Sequence, residues 1–172
     1  MGAAIGFVLS NFTAVLFVVG LVAAWISLGL RGTPRSKQDV YDALLAWFLF
    51  FSIGVSYIYN FVMHVFFGKF TASFIGWADS PFQAEVGYAS LGFAAVGFLA
   101  FRSGWTVRLA AVLGPSFFLW GAAVGHAIDM VKSHNFAPGN AGTIFWSDIL
   151  LPVVGFALLW LTRDQKRPNS TT

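Results

Sequence analysis

The apolar residues of this chain arrive in blocks too long and too unbroken for a water-facing fold. Five segments, near 4–30, 39–67, 82–101, 106–131 and 142–162, carry few charges from end to end. A hydrocarbon core of about 30 Å takes about 20 helical residues to cross, so each segment is long enough to span a membrane. Charged residues make up 10% of the 172. A soluble domain carries about 25%, so too little polar surface is left to coat a globule in water. The expectation is an all-α membrane protein, a five-transmembrane-helix bundle forming one domain over 1–162, with a disordered cytoplasmic tail at 163–172. The opening "MGAAIGFVLSNFTAVLF" has no basic lead-in, so it reads as a retained first span rather than a cleaved signal peptide.

Local signals set the ends of the segments. Ser36 and Asp39 have the spacing of a helix N-cap and its third residue. In "SPFQ", Ser80 is the expected N-cap of the third segment, Pro81 its first residue and Gln83 the capping partner. Stretch 69–80 is too short and mixed to cross, and is expected at the interface with Phe70, Phe74 and Trp77 at headgroup depth. Of the ten basic residues, eight (Arg31, Arg35, Lys37, Arg102, Arg108, Arg163, Lys166 and Arg167) fall in the first and third loops and the tail, and two, Lys69 and Lys132, in the other loops. That asymmetry predicts an N-terminus outside and a C-terminus in the cytoplasm. The net charge of +3 is too small and scattered for nucleic acid, and the absence of cysteine removes disulfides, thiolate metal sites and cysteine nucleophiles. Membrane lipid is the expected surrounding, with a homo-oligomer or a larger membrane complex as candidate partners.

In that orientation the polar residues of the spans collect on the outer side. Segment two carries Tyr57, Asn60 and His64 on one helical face, segment three Gln83 and Glu85, segment four His126 and Asp129, and segment five begins with Trp146, Ser147 and Asp148. An unpaired charge inside a membrane costs several kcal/mol (about 2.5–3.5 on insertion scales), so such convergence points to a purpose. Three readings compete. His64, Glu85, His126 and Asp129 form a divalent metal site for zinc, iron or manganese, or bind a small polar ligand, with Tyr57, Asn60, Gln83, Asn140 and Asp148 orienting them. The same groups relay protons or ions in a small transporter. Or they are buried pairs that fix helix register in a non-catalytic accessory subunit. A bis-histidine haem on His64 and His126 is a less favoured variant, because the neighbouring carboxylates suit a large apolar macrocycle poorly.

Other features have plainer explanations. Gly121 and Gly125 form a GxxxG, and Ala89 and Gly92 share a face with Glu85, so close helix packing is expected at both. Pro115 and Pro152 are expected to kink their helices, and Asn140 to cap the fifth. His134 reads as a solvated loop residue. The loop "HNFAPGNAG" is either a tight connector or a lid over the polar cluster. No span carries a lysine that would form a retinal Schiff base.

The string "IGWADSPFQAEVGYASLGFAAVGFLAF" followed by "GHAIDMV" and "NFAPGNAGTIFWSDILLPV" resembles DUF6790, a family of small prokaryotic integral membrane proteins of unknown function. The likeness covers roughly 60–160. It implies a multi-span protein with a shared outer-side motif set of Gln83, Glu85, His126, Asn135, Asn140 and Asp148, and it implies no activity.

Overall fold

A computed structural model describes residues 7–32 and 36–163. Among them all regular structure is helical: α1 (Phe12–Leu30), α2 (Lys37–Phe66), α3 (Gly68–Ile75), α4 (Phe82–Ala100), α5 (Trp105–Ser133), α6 (Pro138–Ala141) and α7 (Thr143–Leu161). The expected residues 4–6 of the first span, Arg35 in the first loop and the tail from 164 lie outside the described residues. Four stretches are long and apolar enough to cross a membrane: α1, α2, α5 and the Pro138–Leu161 stretch of α6 and α7. The chain is thus a membrane protein by build. Helix α4 has 19 residues, yet Gln83, Glu85, Ser90 and three glycines dilute its apolar character and keep it outside that set. Large side chains such as Trp25, Ile26, Phe117, Val153 and Trp160 face outward, as a lipid-facing surface requires.

The five long helices alternate in direction. At one end the Gln38 amide donates to the Leu161 carbonyl at 3.2 Å and the Trp105 indole to the Leu159 carbonyl at 3.2 Å, which gathers the starts of α2 and α5 beside the end of α7. Arg108 closes this end. Its guanidinium is buried, paired with Asp42, and donates to the carbonyls of Ala100 and Phe101 at 3.3 Å each. At the opposite end the Thr143 hydroxyl bonds the Asn11 side chain, and the Tyr59 hydroxyl donates to the Leu9 carbonyl at 3.1 Å. Between them lies a core of Leu45, Phe48, Leu49, Ile53, Val112 and Leu151.

The start of α2 follows the expected capping box: Asp39 N–H donates to Ser36 Oγ at 3.1 Å and Ser36 N–H returns to Asp39 Oδ2 at 2.9 Å. The start of α4 does not. Gln83 makes no capping bond, because its amide is drawn to His64. Asn140 does not cap α7 either, being held by His126. Pro115 and Pro152 both sit inside continuous helices.

Within α2, residues Leu49–Val55 form a π-helical segment, a wider turn that recurs beside functional sites. It lies where α4 comes closest. A Cβ on Gly97 would sit 2.7 Å from the Gly54 backbone nitrogen, and one on Gly87 2.4 Å from a Val65 methyl. Gly87, Ser90, Ala94 and Gly97, all buried, make this contact face. The face expected to pack, Glu85, Ala89 and Gly92, is exposed instead, and a Cβ on Gly92, Gly121 or Gly125 would meet nothing within 4 Å. Close packing of α4 is thus made by a different set of small residues, and the Gly121–Gly125 pair of α5 makes none within 4 Å. Gly97→Ala is expected to lower stability by about 1–3 kcal/mol through overpacking against backbone, whereas Gly92→Ala, in open space, leaves it unchanged or slightly raised. Thermal unfolding of the two variants in one detergent checks the difference.

Candidate ligand cavity

The end of the bundle carrying the His and Asp residues is organised by three short sequence elements that interlock. Helix α3 ends at Gly76, whose φ of 83° is left-handed. A Cβ there would also meet the Asn135 amide at 2.6 Å, so both conformation and space call for glycine. Helix α5 ends at His134, again left-handed at φ 52°, which turns the chain so that Asn135 faces back into the bundle. The Asn135 amide donates to the Ile75 carbonyl at 2.9 Å and to Asp129 Oδ2 at 2.6 Å, and its Oδ1 accepts from Ala137 N–H at 3.0 Å. Asp129 accepts a further bond from the Trp77 indole at 2.9 Å. Gly139 then packs on Phe74, where a Cβ would come within 2.7 Å of the ring.

Asn140, fully buried, completes the lock. Its Nδ2 donates to the carbonyls of Asn135 at 2.8 Å and His126 at 3.4 Å, which fixes which end of the amide is oxygen. Asn140 Oδ1 therefore accepts at 2.6 Å from His126 Nδ1, and the Nδ1 position carries the proton. With Trp77 stacked on the ring at 5.4 Å, the imidazole is held on one face and one edge. Its Nε2 is left turned toward Asp148 Oδ2, 3.7 Å away.

Both residues line a cavity of about 820 Å³ to which α1 to α7 all contribute lining residues. Along α2, Ser52, Ser56, Asn60 and His64 recur at every fourth residue and line it, with Tyr57 beside them. Asn60 is spoken for, its amide donating to Ser90 Oγ at 3.0 Å, and His64 Nδ1 lies 2.7 Å from Gln83 Oε1. Thr13 donates at 2.7 Å to Ser147, whose hydroxyl is used on the Thr143 carbonyl. The Ser52 and Tyr57 hydroxyls, 1% and 4% exposed, have no hydrogen-bond partner among the described residues. Asp148 is near enough to Tyr57 to act on it electrostatically. Phe74, Phe118, Met63, Ile144 and Leu151 are among the apolar residues of the remaining wall.

Of the residues expected from sequence, Tyr57, Asn60, His64, Gln83, His126 and Asp148 meet at this cavity, and Asn140 supports it from behind. Glu85 does not. Two residues on from Gln83 is a turn of about 200° around a helix, so burying Gln83 exposes Glu85. Asp129 does not line the cavity and is engaged by Trp77 and Asn135. The four expected metal ligands His64, Glu85, His126 and Asp129 are thus not brought together, and among the described residues no three His, Cys, Asp or Glu side chains are grouped to hold a metal ion. Ser52, Ser56 and Thr13 escape sequence reasoning because isolated hydroxyls in apolar runs are common; the available signal for the two serines is their fourfold spacing with Asn60 and His64. Trp77, expected at headgroup depth, turns out to brace both His126 and Asp129.

The chain belongs to the family of unknown function DUF6790, whose model matches residues 10–168. No curated protein and no solved structure matches it.

Because Asn140 serves three partners in a dry setting, Asn140→Ala is expected to destabilise the protein by about 2–4 kcal/mol, the cost of leaving buried groups unpaired. Thermal unfolding reads the effect. A change within about 0.5 kcal/mol, as at an ordinary surface position, would remove Asn140 from its central place.

Proposed function

We propose that this DUF6790 protein binds a small, mostly apolar molecule by its polar end, in the cavity between α2, α5 and α7. The observation that carries this reading is the pair of buried, unpartnered hydroxyls, Ser52 and Tyr57, lining the same cavity as the His126–Asp148 pair. An unsatisfied buried hydroxyl costs about 1–3 kcal/mol, and alanine and phenylalanine at these positions would avoid that cost. A ligand group that bonds them recovers it. The volume of about 820 Å³ falls within the range of small-molecule sites, about 300–1,000 Å³. His126 is pre-oriented by Asn140 and Trp77, so its Nε2 is set to contact the ligand without a search through rotamers or tautomers.

The same reading takes α4 as a fifth span. Its length equals that of α1, it lies against α2 and α5, and its polar Gln83 and Ser90 are turned inward. Exposed Glu85 sits in its first turn, at the depth where a charge reaches water. Together with the eight-to-two distribution of basic residues, this supports an N-terminus outside and a cavity in the outer leaflet.

Gly121 lines the cavity, and a Cβ there meets nothing within 4 Å, so a large side chain can enter without displacing backbone. Native mass spectrometry of nanodisc-purified protein is expected to show a small molecule on the wild type and about tenfold lower occupancy in Gly121→Trp, with unfolding temperature retained. Equal occupancy in both would contradict the reading. Stoichiometric zinc, iron or manganese, lost in His126→Ala, would replace it with metal binding.

A further inference from the structure

The carboxylates of Asp42 and Asp148, at opposite ends of the bundle, are treated in opposite ways. At one end Asp42 is paired with Arg108, and that guanidinium is further tied to two backbone carbonyls, so the charge is closed off by the protein itself. At the other end Asp148, 4% exposed, lines the cavity with no lysine or arginine among the cavity's described residues. The titratable groups that share the cavity are Tyr57, Tyr59 and His64 from α2 and His126 from α5. His126 Nε2 lies 3.7 Å from the carboxylate, beyond hydrogen-bond length, so Asp148 has room for a second partner.

Part of the wall of the cavity that Asp148 lines is aromatic. Tyr57, Phe74, Trp77 and Phe118 line the cavity, and Tyr57 and Phe118 pack edge to face with centroids 6.1 Å apart. Ring faces attract cations through their quadrupole, most strongly where water is excluded. A carboxylate in a low-dielectric pocket rejects a second negative charge and is stabilised by a positive one. With Nδ1 of His126 committed to Asn140, the nitrogen it offers the cavity accepts rather than donates when the ring is neutral.

From this arrangement we infer that the cavity selects a lipophilic monocation, an amine or onium ion on an aromatic or alkyl body, with Asp148 as its counter-ion and the aromatic side chains as its cage. The inference rests on the ligand-binding reading above and narrows it to one charge class. A phosphate or carboxylate headgroup is excluded, since it would meet Asp148 with no basic residue to offset the repulsion.

The test measures equilibrium binding to protein in nanodiscs of neutral lipid, using three probes of similar shape: tetraphenylphosphonium (cation), triphenylphosphine oxide (neutral) and tetraphenylborate (anion). Wild type is expected to bind the cation saturably and at least about tenfold more tightly than the neutral probe, and to show no saturable binding of the anion. In Asp148→Asn the cation loses that advantage while neutral binding persists, and Asp148→Glu retains it. Neutral binding equal to that of the cation in wild type, or a preference unchanged in Asp148→Asn, would overturn the cation assignment and leave ligand binding standing. Saturable binding of none of the three, or binding indifferent to Gly121→Trp, would overturn both. The wild-type ranking decides the matter even if Asp148→Asn fails to fold.

Discussion

The hydrogen bond from His126 Nδ1 to Asn140 Oδ1 is the contact on which the polar end of this bundle depends. In an interior this apolar, each buried polar atom needs a partner or imposes a cost. Asn140 answers for several at once: it accepts from the imidazole and donates to the carbonyls of Asn135 and His126. Asn135 in turn ties the end of α3 to Asp129, and Trp77 joins that carboxylate to the face of His126. The result is a rigid frame that leaves one imidazole nitrogen pointing at Asp148. Glycine at 76 and 139 is explained by the same frame, since a side chain at either would strike Asn135 or Phe74.

Against that frame, the face of α2 that lines the cavity is left deliberately incomplete. Ser52 and Tyr57 are buried with no hydrogen-bond partner among the described residues, within or just beyond the π-helical segment. The opposite end of the molecule shows that this sequence is able to satisfy buried charge, because Arg108 there is saturated by Asp42 and two carbonyls. One end is thus finished by the protein and the other has hydrogen-bonding capacity to spare. That contrast, more than any single residue, is what directs the functional reading to the His126–Asp148 end.

Much of this was legible in the sequence. Long apolar blocks gave the helices because hydropathy sums over about 20 residues and tolerates local error. Helical spacing marks Tyr57, Asn60, His64 and His126, the start of the fifth apolar block marks Asp148, and the structure gathers all five around one cavity. The failures came where a single angle decides the outcome. Glu85 was grouped with Gln83 by proximity along the chain, although the helix sends them to opposite sides. Gly121 and Gly125 match a packing motif, but the close contact with α2 is made by Gly87 and Gly97 of α4. Asn140 and Gln83 sit near helix starts and so looked like caps, when tertiary partners, His126 and His64, hold their amides instead. Trp77 was set at the interface by its position after α3, and no local signal tied it to residues about fifty positions away.

The most direct measurement of the central claim, that the motif residues hold open a cavity for a ligand, is an experimental structure in lipid nanodiscs at a resolution that shows bound small molecules. Non-protein density within hydrogen-bonding distance of the Tyr57 hydroxyl and beside the Asp148 carboxyl is the predicted result. A collapsed cavity, with the Ser52 and Tyr57 hydroxyls bonded to protein groups and Asp148 hydrogen-bonded directly to His126, would contradict it.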